Sequence, residues 1–529
     1  MSEACAAARR LIERLREPQR YPHRCDRVEL VETHISWVLL AGDYAYKVKK
    51  PVDLGFLDFT SLAARHRFCL EELRLNRRTA PALYLEVVPI GGSADDPVLG
   101  ATPAIEHAVR MRRFEQDALL DRLARRGGLE PAVVDLLADA IAAFHAGAAR
   151  ATEASGFGAP ERVLAPAEQN FDQLAALAEA GDQAAELAAL RRWTEREFAL
   201  RRDAIEARRR VGFVRECHGD LHLGNVALID GRPVPFDCIE FNDDLRWIDV
   251  MSEIAFLVMD LIDHRLDALA WRCLNRYLEA TGDYDGLALL RFHLVYRAMV
   301  RAKIACLRAA DGALAPDARA GFGAQFRDYL ALAGRFAGAA RPAIVLMHGL
   351  SGAGKTTVAL RLVEALGAVR VRSDVERKRL LGLEALARTH AGVASGAYGA
   401  ATTRRTYDRL AAAARAIAGG GLPAIVDAAF LRAADRAAFR ALARELAAPF
   451  AIADCVAPEA DLRARITARA RAGSDASEAS LAVLEHQLST AEPLAAEERT
   501  DAVTFAAGAD PAAAIAELAR RLVAQQVSR

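Results

Sequence analysis

Two short segments carry the residue types that phosphate chemistry needs. Gly349-Leu350-Ser351-Gly352-Ala353-Gly354-Lys355-Thr356 has glycine at its first and sixth positions, followed by lysine and threonine. Glycines let the main chain curl until successive N–H groups aim at phosphate oxygens. In that arrangement Lys355 reaches the β- and γ-phosphates, and the Thr356 hydroxyl can ligate Mg2+. A helix expected over Thr357–Leu366 adds the positive end of its dipole. Gly349, Ser351, Gly352, Ala353, Gly354, Lys355, Thr356 and Thr357 are therefore the expected contacts to a nucleoside triphosphate. The second segment is His218-Gly219-Asp220-Leu221-His222-Leu223-Gly224-Asn225, followed by the apolar run Val226–Ile229 and by Val234-Pro235-Phe236-Asp237. One hairpin suffices to return Asp237 to the side of Asn225. Phosphoryl transfer needs one carboxylate to take the acceptor hydroxyl's proton, and an amide with a second carboxylate to hold Mg2+ on ATP. Asp220 suits the first role; Asn225 and Asp237 suit the second. His218 and His222 lack the further ligands of a zinc site.

These groups need elements to hold them. Residue alternation predicts strands at Val28–Glu32, Trp37–Leu40 and Tyr44–Lys49, a helix over Leu62–Arg78, then strands at Leu83–Ile90 and Ala108–Phe114. From about Gln116 to Phe336 apolar residues recur at helical spacing, in Val133–Phe144, Phe171–Ala180, Met251–Ile262 and Arg291–Leu307. The stretch Glu216–Phe241 is a strand-rich interruption. Small residues and Pro342 mark a boundary near residue 340. Beyond it the strands Ile344–Met347, Val369–Arg372, Ala424–Val426 and Phe450–Cys455 alternate with helices, the pattern of a parallel sheet. Asp374 and Asp427 fall at strand ends, where such sheets bind ligands. Asp427 is the expected second Mg2+ ligand, and Asp374 would orient or deprotonate an acceptor hydroxyl. Arg469, with Arg465 and Arg471, precedes Gly473-Ser474-Asp475-Ala476-Ser477 and suits a segment closing over phosphates. A solvated helix face is the alternative for these arginines. Ala391–Ala401 reads as a loop or lid.

The second segment resembles the aminoglycoside phosphotransferase family, whose loop reads HGDxHxxN. Asp249-Val250-Met251-Ser252-Glu253-Ile254-Ala255 is similar to that family's DPxxDLA helix start, with Val250 and Glu253 as departures. Tyr44-Ala45-Tyr46-Lys47 resembles the kinase strand that offers an alanine to adenine and a lysine to the phosphates. The resemblance implies Lys47 for that role, with Lys49 on the same strand face as substitute. Either Glu71 or Glu72 would fix its ammonium, and Leu75 at i+4 favours Glu71. The turn Thr33-His34-Ile35-Ser36 lacks a glycine-rich loop, which disfavours a standard protein kinase. Residues from about 340 resemble small P-loop kinases of the shikimate/gluconate-kinase and zeta-toxin type. In order, and over about residues 20–525, the chain resembles bacterial bifunctional aminoglycoside-phosphotransferase-like, ATP-binding proteins. The implied fold is an α+β protein-kinase-like domain over 1–339 (N-lobe about 20–114, C-lobe about 115–336), then an α/β P-loop domain with a parallel sheet over 340–529. The implied activity is ATP- and Mg2+-dependent phosphorylation of a small hydroxylated acceptor. Alternatively, one domain is a nucleotide sensor that gates the other.

Composition agrees with a large globular chain. It has 529 residues, more than one core usually supports, with 70 basic and 70 acidic side chains. That balance gives no attraction to nucleic acid or an anionic membrane. No apolar run reaches the length of a bilayer span, the first residues lack a signal peptide's apolar core, and no cysteines are spaced CxxC. A cytoplasmic protein with reduced thiols is expected; the oligomeric state is left open.

Overall fold

The computed structural model describes residues 3–55, 57–177, 183–312, 314–387, 399–472 and 477–527. They form two compact units: Met1–Pro166 with Ile205–Asp260, and Ala167–Ala204 with Leu261–Arg529.

The first unit begins with a six-stranded antiparallel sheet. Its strands are β1 (Val28–Glu32), β2 (Ser36–Ala41), β3 (Tyr44–Lys49), β4 (Tyr84–Gly92), β5 (Pro97–Leu99) and β6 (Glu106–Arg112), in the order β1-β2-β3-β6-β4-β5. The β2–β3 hairpin turns through Gly42 and Asp43, with Ala41 paired to Tyr44, the short loop for which glycine is suited. Alternation divides the side chains between two faces. Trp37, Leu39, Tyr46 and Val48 pack with Leu11, Ile12 and Leu15 on one face. Leu40, Ala45 and Val109 pack with Cys69 on the other. Cys69 comes from the helix Leu62–Asn76, which Ser61 caps by accepting the Ala64 N–H at 3.1 Å. The same unit holds the helix Pro131–Gly147, the paired strands β7 (Val214–Glu216) and β10 (Trp247–Asp249), and a hairpin of β8 (Val226–Ile229) and β9 (Arg232–Pro235).

The second unit contains a five-stranded parallel sheet. Its strands are β11 (Ala343–His348), β12 (Val369–Arg372), β13 (Pro423–Asp427), β14 (Phe450–Val456) and β15 (Ala502–Ala506), in the order β12-β13-β11-β14-β15. The central strand β11 is buried from Ala343 to Met347, as a strand covered on both faces must be. The long helices Leu287–Ala309 and Pro316–Ala337 pack against each other in this unit. The helix Asp267–Thr281 meets the edge of the sheet at β12. Its residues Trp271 and Asn275 lie one turn apart on one face. Trp271 covers the Gly367 turn, where an added Cβ would lie 3.0 Å from the indole. Asn275 donates to Ala368 O at 2.9 Å and accepts the Arg370 N–H at 2.7 Å, satisfying backbone groups of an otherwise bare sheet edge. No described helix is long and apolar enough to cross a membrane.

Candidate active sites

In the first unit β3 is fixed on both sides, with Lys47 opposite Val38 of β2 and Val109 of β6. Alternation sends Lys47 and Lys49 to the face covered by the helix Leu62–Asn76. Lys47 Nζ lies 2.8 Å from Glu72 Oε1 and also pairs with Asp237. Lys49 Nζ lies 2.7 Å from Glu72 Oε2 and also pairs with Glu240. Four of these five groups are buried; Asp237 is 40% exposed, so the cluster opens to solvent through it. Burial alone would push the Glu72 carboxyl up, but a lysine on each oxygen holds it down at about 2. Burial, reinforced by the charge of Glu72, drives Glu240 the other way against the pull of Lys49.

The loop that carries Asp220 is held from below. Glu253 accepts the His218 N–H at 2.9 Å and the Gly219 N–H at 2.7 Å, and meets His145 Nε2 at 3.1 Å. Gly219 has φ +88, and an added Cβ would lie 2.8 Å from Leu245 O. Asn225 commits its amide nitrogen to Asp220, donating to the main-chain O and to Oδ2 at 3.0 Å each. The β8–β9 hairpin pairs Val226 with Pro235, and the Phe236 N–H donates to Asn225 O at 2.9 Å. Asp237 follows at once, in a left-handed conformation with φ +67 that few non-glycine residues adopt. Its N–H donates to the Tyr84 hydroxyl at 3.2 Å. Asp220 thus touches Asn225, Asp237 touches Lys47, and Phe236 joins the two pairs along the main chain.

In the second unit the glycine-rich segment turns between β11 and the helix Lys355–Leu366. Gly349, Gly352 and Gly354 have φ +131, +86 and +91. Lys355 Nζ donates to Gly349 O at 2.8 Å and Leu350 O at 2.9 Å, and burial lowers its pKa. The Ser351 N–H donates to Gln487 Oε1 at 2.9 Å. The Thr356 hydroxyl donates to Asp427 Oδ2 at 3.1 Å. A cavity of about 320 Å³ is lined by Ser351, Gly352, Gly354, Lys355, Thr356 and Thr357 of the segment, and by Asp374, Asp427, Arg465 and Arg469 around it. Arg469 donates to Ala479 O at 3.2 Å, and Arg465 donates to Gly352 O at 3.3 Å.

Several placements differ from the sequence expectation. Glu71 is not the partner of Lys47. It lies 2.6 Å from Arg74 and 3.0 Å from Arg246, while Glu72 turns inward. The buried residues of that helix are Arg65, Cys69, Glu72, Leu75 and Asn76; Leu75 is buried as expected, but Glu71 one turn before it is only half-buried. Asp374 lies in the first turn of the helix Ser373–Leu380 instead of closing a strand. Ala353 is buried beneath the segment and does not line the cavity. Of Ala391–Ala401, expected as a loop or lid, residues 391–398 lie outside the described residues and Ala400 and Ala401 begin the helix Ala400–Gly419; of Gly473–Ser477, residues 473–476 lie outside them. Glu240, Glu253 as a loop anchor, and Gln487 were missed. Only Glu253 had a signal, its place in the helix-start motif.

Comparison with known proteins adds the family. Residues 56–290 match the model of the Phosphotransferase enzyme family, and residues 344–494 match an AAA domain model. The uncharacterized protein Rv2004c of Mycobacterium tuberculosis is 31% identical over 456 residues, covering 85% of this chain and 88% of the relative. A choline/ethanolamine kinase family protein from Mesorhizobium loti is 13% identical, covering 58% of this chain and 92% of its own, with a TM-score of 0.33. A gluconokinase from Sinorhizobium meliloti 1021 is 20% identical, covering 36% of this chain and 94% of its own, with a TM-score of 0.24.

Proposed function

This chain belongs to the same family as its mycobacterial relative and joins a phosphotransferase-family domain to a P-loop kinase-like domain; on that premise we propose that it moves the γ-phosphoryl group of ATP to hydroxyl groups of small molecules at two sites. The observation that carries the reading is the contact chain Asp220–Asn225–Phe236–Asp237–Lys47. Asp220 takes the acceptor's proton as the acceptor oxygen bonds to phosphorus and the bond to ADP breaks. Lys47, fixed by Glu72, holds phosphate oxygens. Asn225 and Asp237 in the first unit, and Thr356 and Asp427 in the second, are the hard oxygen donors that suit Mg2+. Bound there with the triphosphate, Mg2+ would draw off negative charge as the phosphoryl group transfers. In the second unit Lys355 and the N–H groups of Gly352, Gly354, Lys355, Thr356 and Thr357, which line the cavity, hold the triphosphate, with Gly349, Ser351 and Ala353 shaping the loop around it. Asp374 orients or deprotonates the acceptor, and Arg469 stabilises charge. The eight cysteines are scattered with no CxxC pair, which supports a reducing, cytoplasmic setting.

The test is to incubate the full chain with Mg-ATP and a metabolite pool and record mass gains of one phosphate. Asp220→Asn and Lys355→Ala are each expected to remove a different product, by about a hundredfold or more. If Lys355→Ala only alters the rate of the Asp220-dependent product, the second unit is a sensor. If the parent chain consumes no ATP, the reading falls.

A further inference from the structure

The helix Asp267–Thr281 does more than cover the sheet edge. It lies within the stretch matched by the phosphotransferase model, residues 56–290, yet folds in the second unit. One turn beyond Asn275 it presents Glu279. The two carboxylate oxygens of Glu279 each take one arginine of β12: Oε2 accepts from Arg370 Nη2 at 2.8 Å, and Oε1 accepts from Arg372 Nη1 at 3.0 Å. Arg370 and Arg372 are two apart on the strand, so both point to the same side. The same arginines approach Asp427. Arg370 Nη1 stops 3.8 Å from Asp427 Oδ2, and Arg372 Nε stops 3.9 Å from the same oxygen. Register accounts for the approach, since Arg372 is the partner of Asp427 in the β12–β13 ladder. Arg370 is nine-tenths buried, and its Nη1 makes no hydrogen bond.

Both arginines thus approach both carboxylates, Glu279 closely and Asp427 at a distance. Removing Glu279 takes from Arg370 the carboxylate to which its Nη2 donates. The nearest relief for Arg370 is to close the remaining gap to Asp427 Oδ2, because a buried cation without a partner is strongly disfavoured. A carboxylate engaged by guanidinium is a poor ligand for a cation.

We infer that Glu279 is a positioning residue of the P-loop site: it holds Arg370 and Arg372 off Asp427 and so keeps that carboxylate available to the divalent cation of a bound nucleoside triphosphate. The inference rests on the reading of Gly349–Thr356 as a nucleotide site. It also makes a helix of the phosphotransferase stretch part of that site's machinery.

The experiment uses the full chain carrying Asp220→Asn and Asp237→Asn, so that a fluorescent ATP analogue reports on the P-loop. Analogue binding is titrated with Mg2+ in the parent, in Glu279→Gln, and in Glu279→Gln with Arg370→Gln and Arg372→Gln. Glu279→Gln keeps the side chain's size while removing its charge; the triple change also removes both guanidinium groups, so neither is left to close on Asp427, and circular dichroism checks that each variant is folded before it is titrated. The single change is expected to raise the Mg2+ concentration for half-maximal binding about tenfold, with metal-free binding in EDTA unchanged. The triple change is expected to restore it to within about twofold. A merely structural role for Glu279 would lower binding with and without Mg2+ alike, and removing the arginines would not restore it; that result overturns the inference. An unchanged Mg2+ midpoint in Glu279→Gln overturns it as well. Loss of Lys355-dependent analogue binding in the parent chain would instead overturn the nucleotide-site reading, and the inference with it.

Discussion

Glu71 and Glu72 are separated by about 100° of helix rotation, and that rotation decides which carboxylate serves β3. Glu72 is buried and binds both lysines, whereas Glu71 is half-buried and meets the exposed Arg74 and the buried Arg246. Glu72→Gln leaves two buried ammonium groups with less countercharge and is expected to destabilise the first unit by about 3–5 kcal/mol. Glu71→Gln is expected to cost less, about 1–2 kcal/mol, because the buried Arg246 keeps Glu216 and Asp243. Acid titration separates them further. The folded-state pKa of Glu72 is about 2, below its ordinary 4.5, so its stabilisation is complete above pH 4.5 and is lost as pH falls toward 2. Glu253, its burial offset by His145 and His218, is also held at about 2 and adds to the same acid limb. Glu240 shifts upward and contributes with the opposite sign. Denaturant unfolding followed at several pH values should show stability falling over that window, with a shallower fall in Glu72→Gln. An equal slope in the two proteins would contradict the assignment.

At the scale of elements, the P-loop is constrained at its first residue. An added Cβ at Gly349 would lie 2.3 Å from Cys455 O, a main-chain atom of β14, and φ is +131. Gly349→Ala is therefore expected to weaken nucleotide binding at this site at least about tenfold. The Asp220-dependent product should persist, which a paired binding and product assay would check. These contiguous motifs were legible because their chemistry is local. So were β1, β3, β8 and β12, where alternation or an unbroken apolar run marks the residues without ambiguity. The edge strand β15 escaped notice because its residues alternate buried with exposed over only five positions. The long helix Gln183–Arg210 escaped because charged residues dominate its surface. Glu240 and Glu279 act on residues far along the chain, and no local spacing announces such pairings.

For the molecule as a whole, residue 340 is a break in the chain's pattern, but the P-loop sheet depends on residues before it. A fragment of residues 340–529 would lack Trp271, Asn275 and Glu279. It would expose two backbone groups at Ala368 and Arg370 and leave Arg370 without its carboxylate partner. Losing about 3 kcal/mol in this way should lower the melting temperature of the nucleotide-free fragment by about 6 °C or more relative to the same sheet in the full chain. Calorimetry on both proteins would show it; equal transitions would mean the helix face contributes nothing to stability. The path of the backbone has a different consequence. It enters the second unit at Ala167, returns to the first at Ile205 and departs again at Leu261. A ribosome releases residues strictly in order, so Phe198, buried in the finished unit, emerges well before Phe292, the ring that it packs against. That contact waits while residues 205–260 are translated. The nascent polypeptide therefore carries an oily stretch through the very interval in which its first catalytic loop is made, and biogenesis rather than final stability is where chaperone demand concentrates.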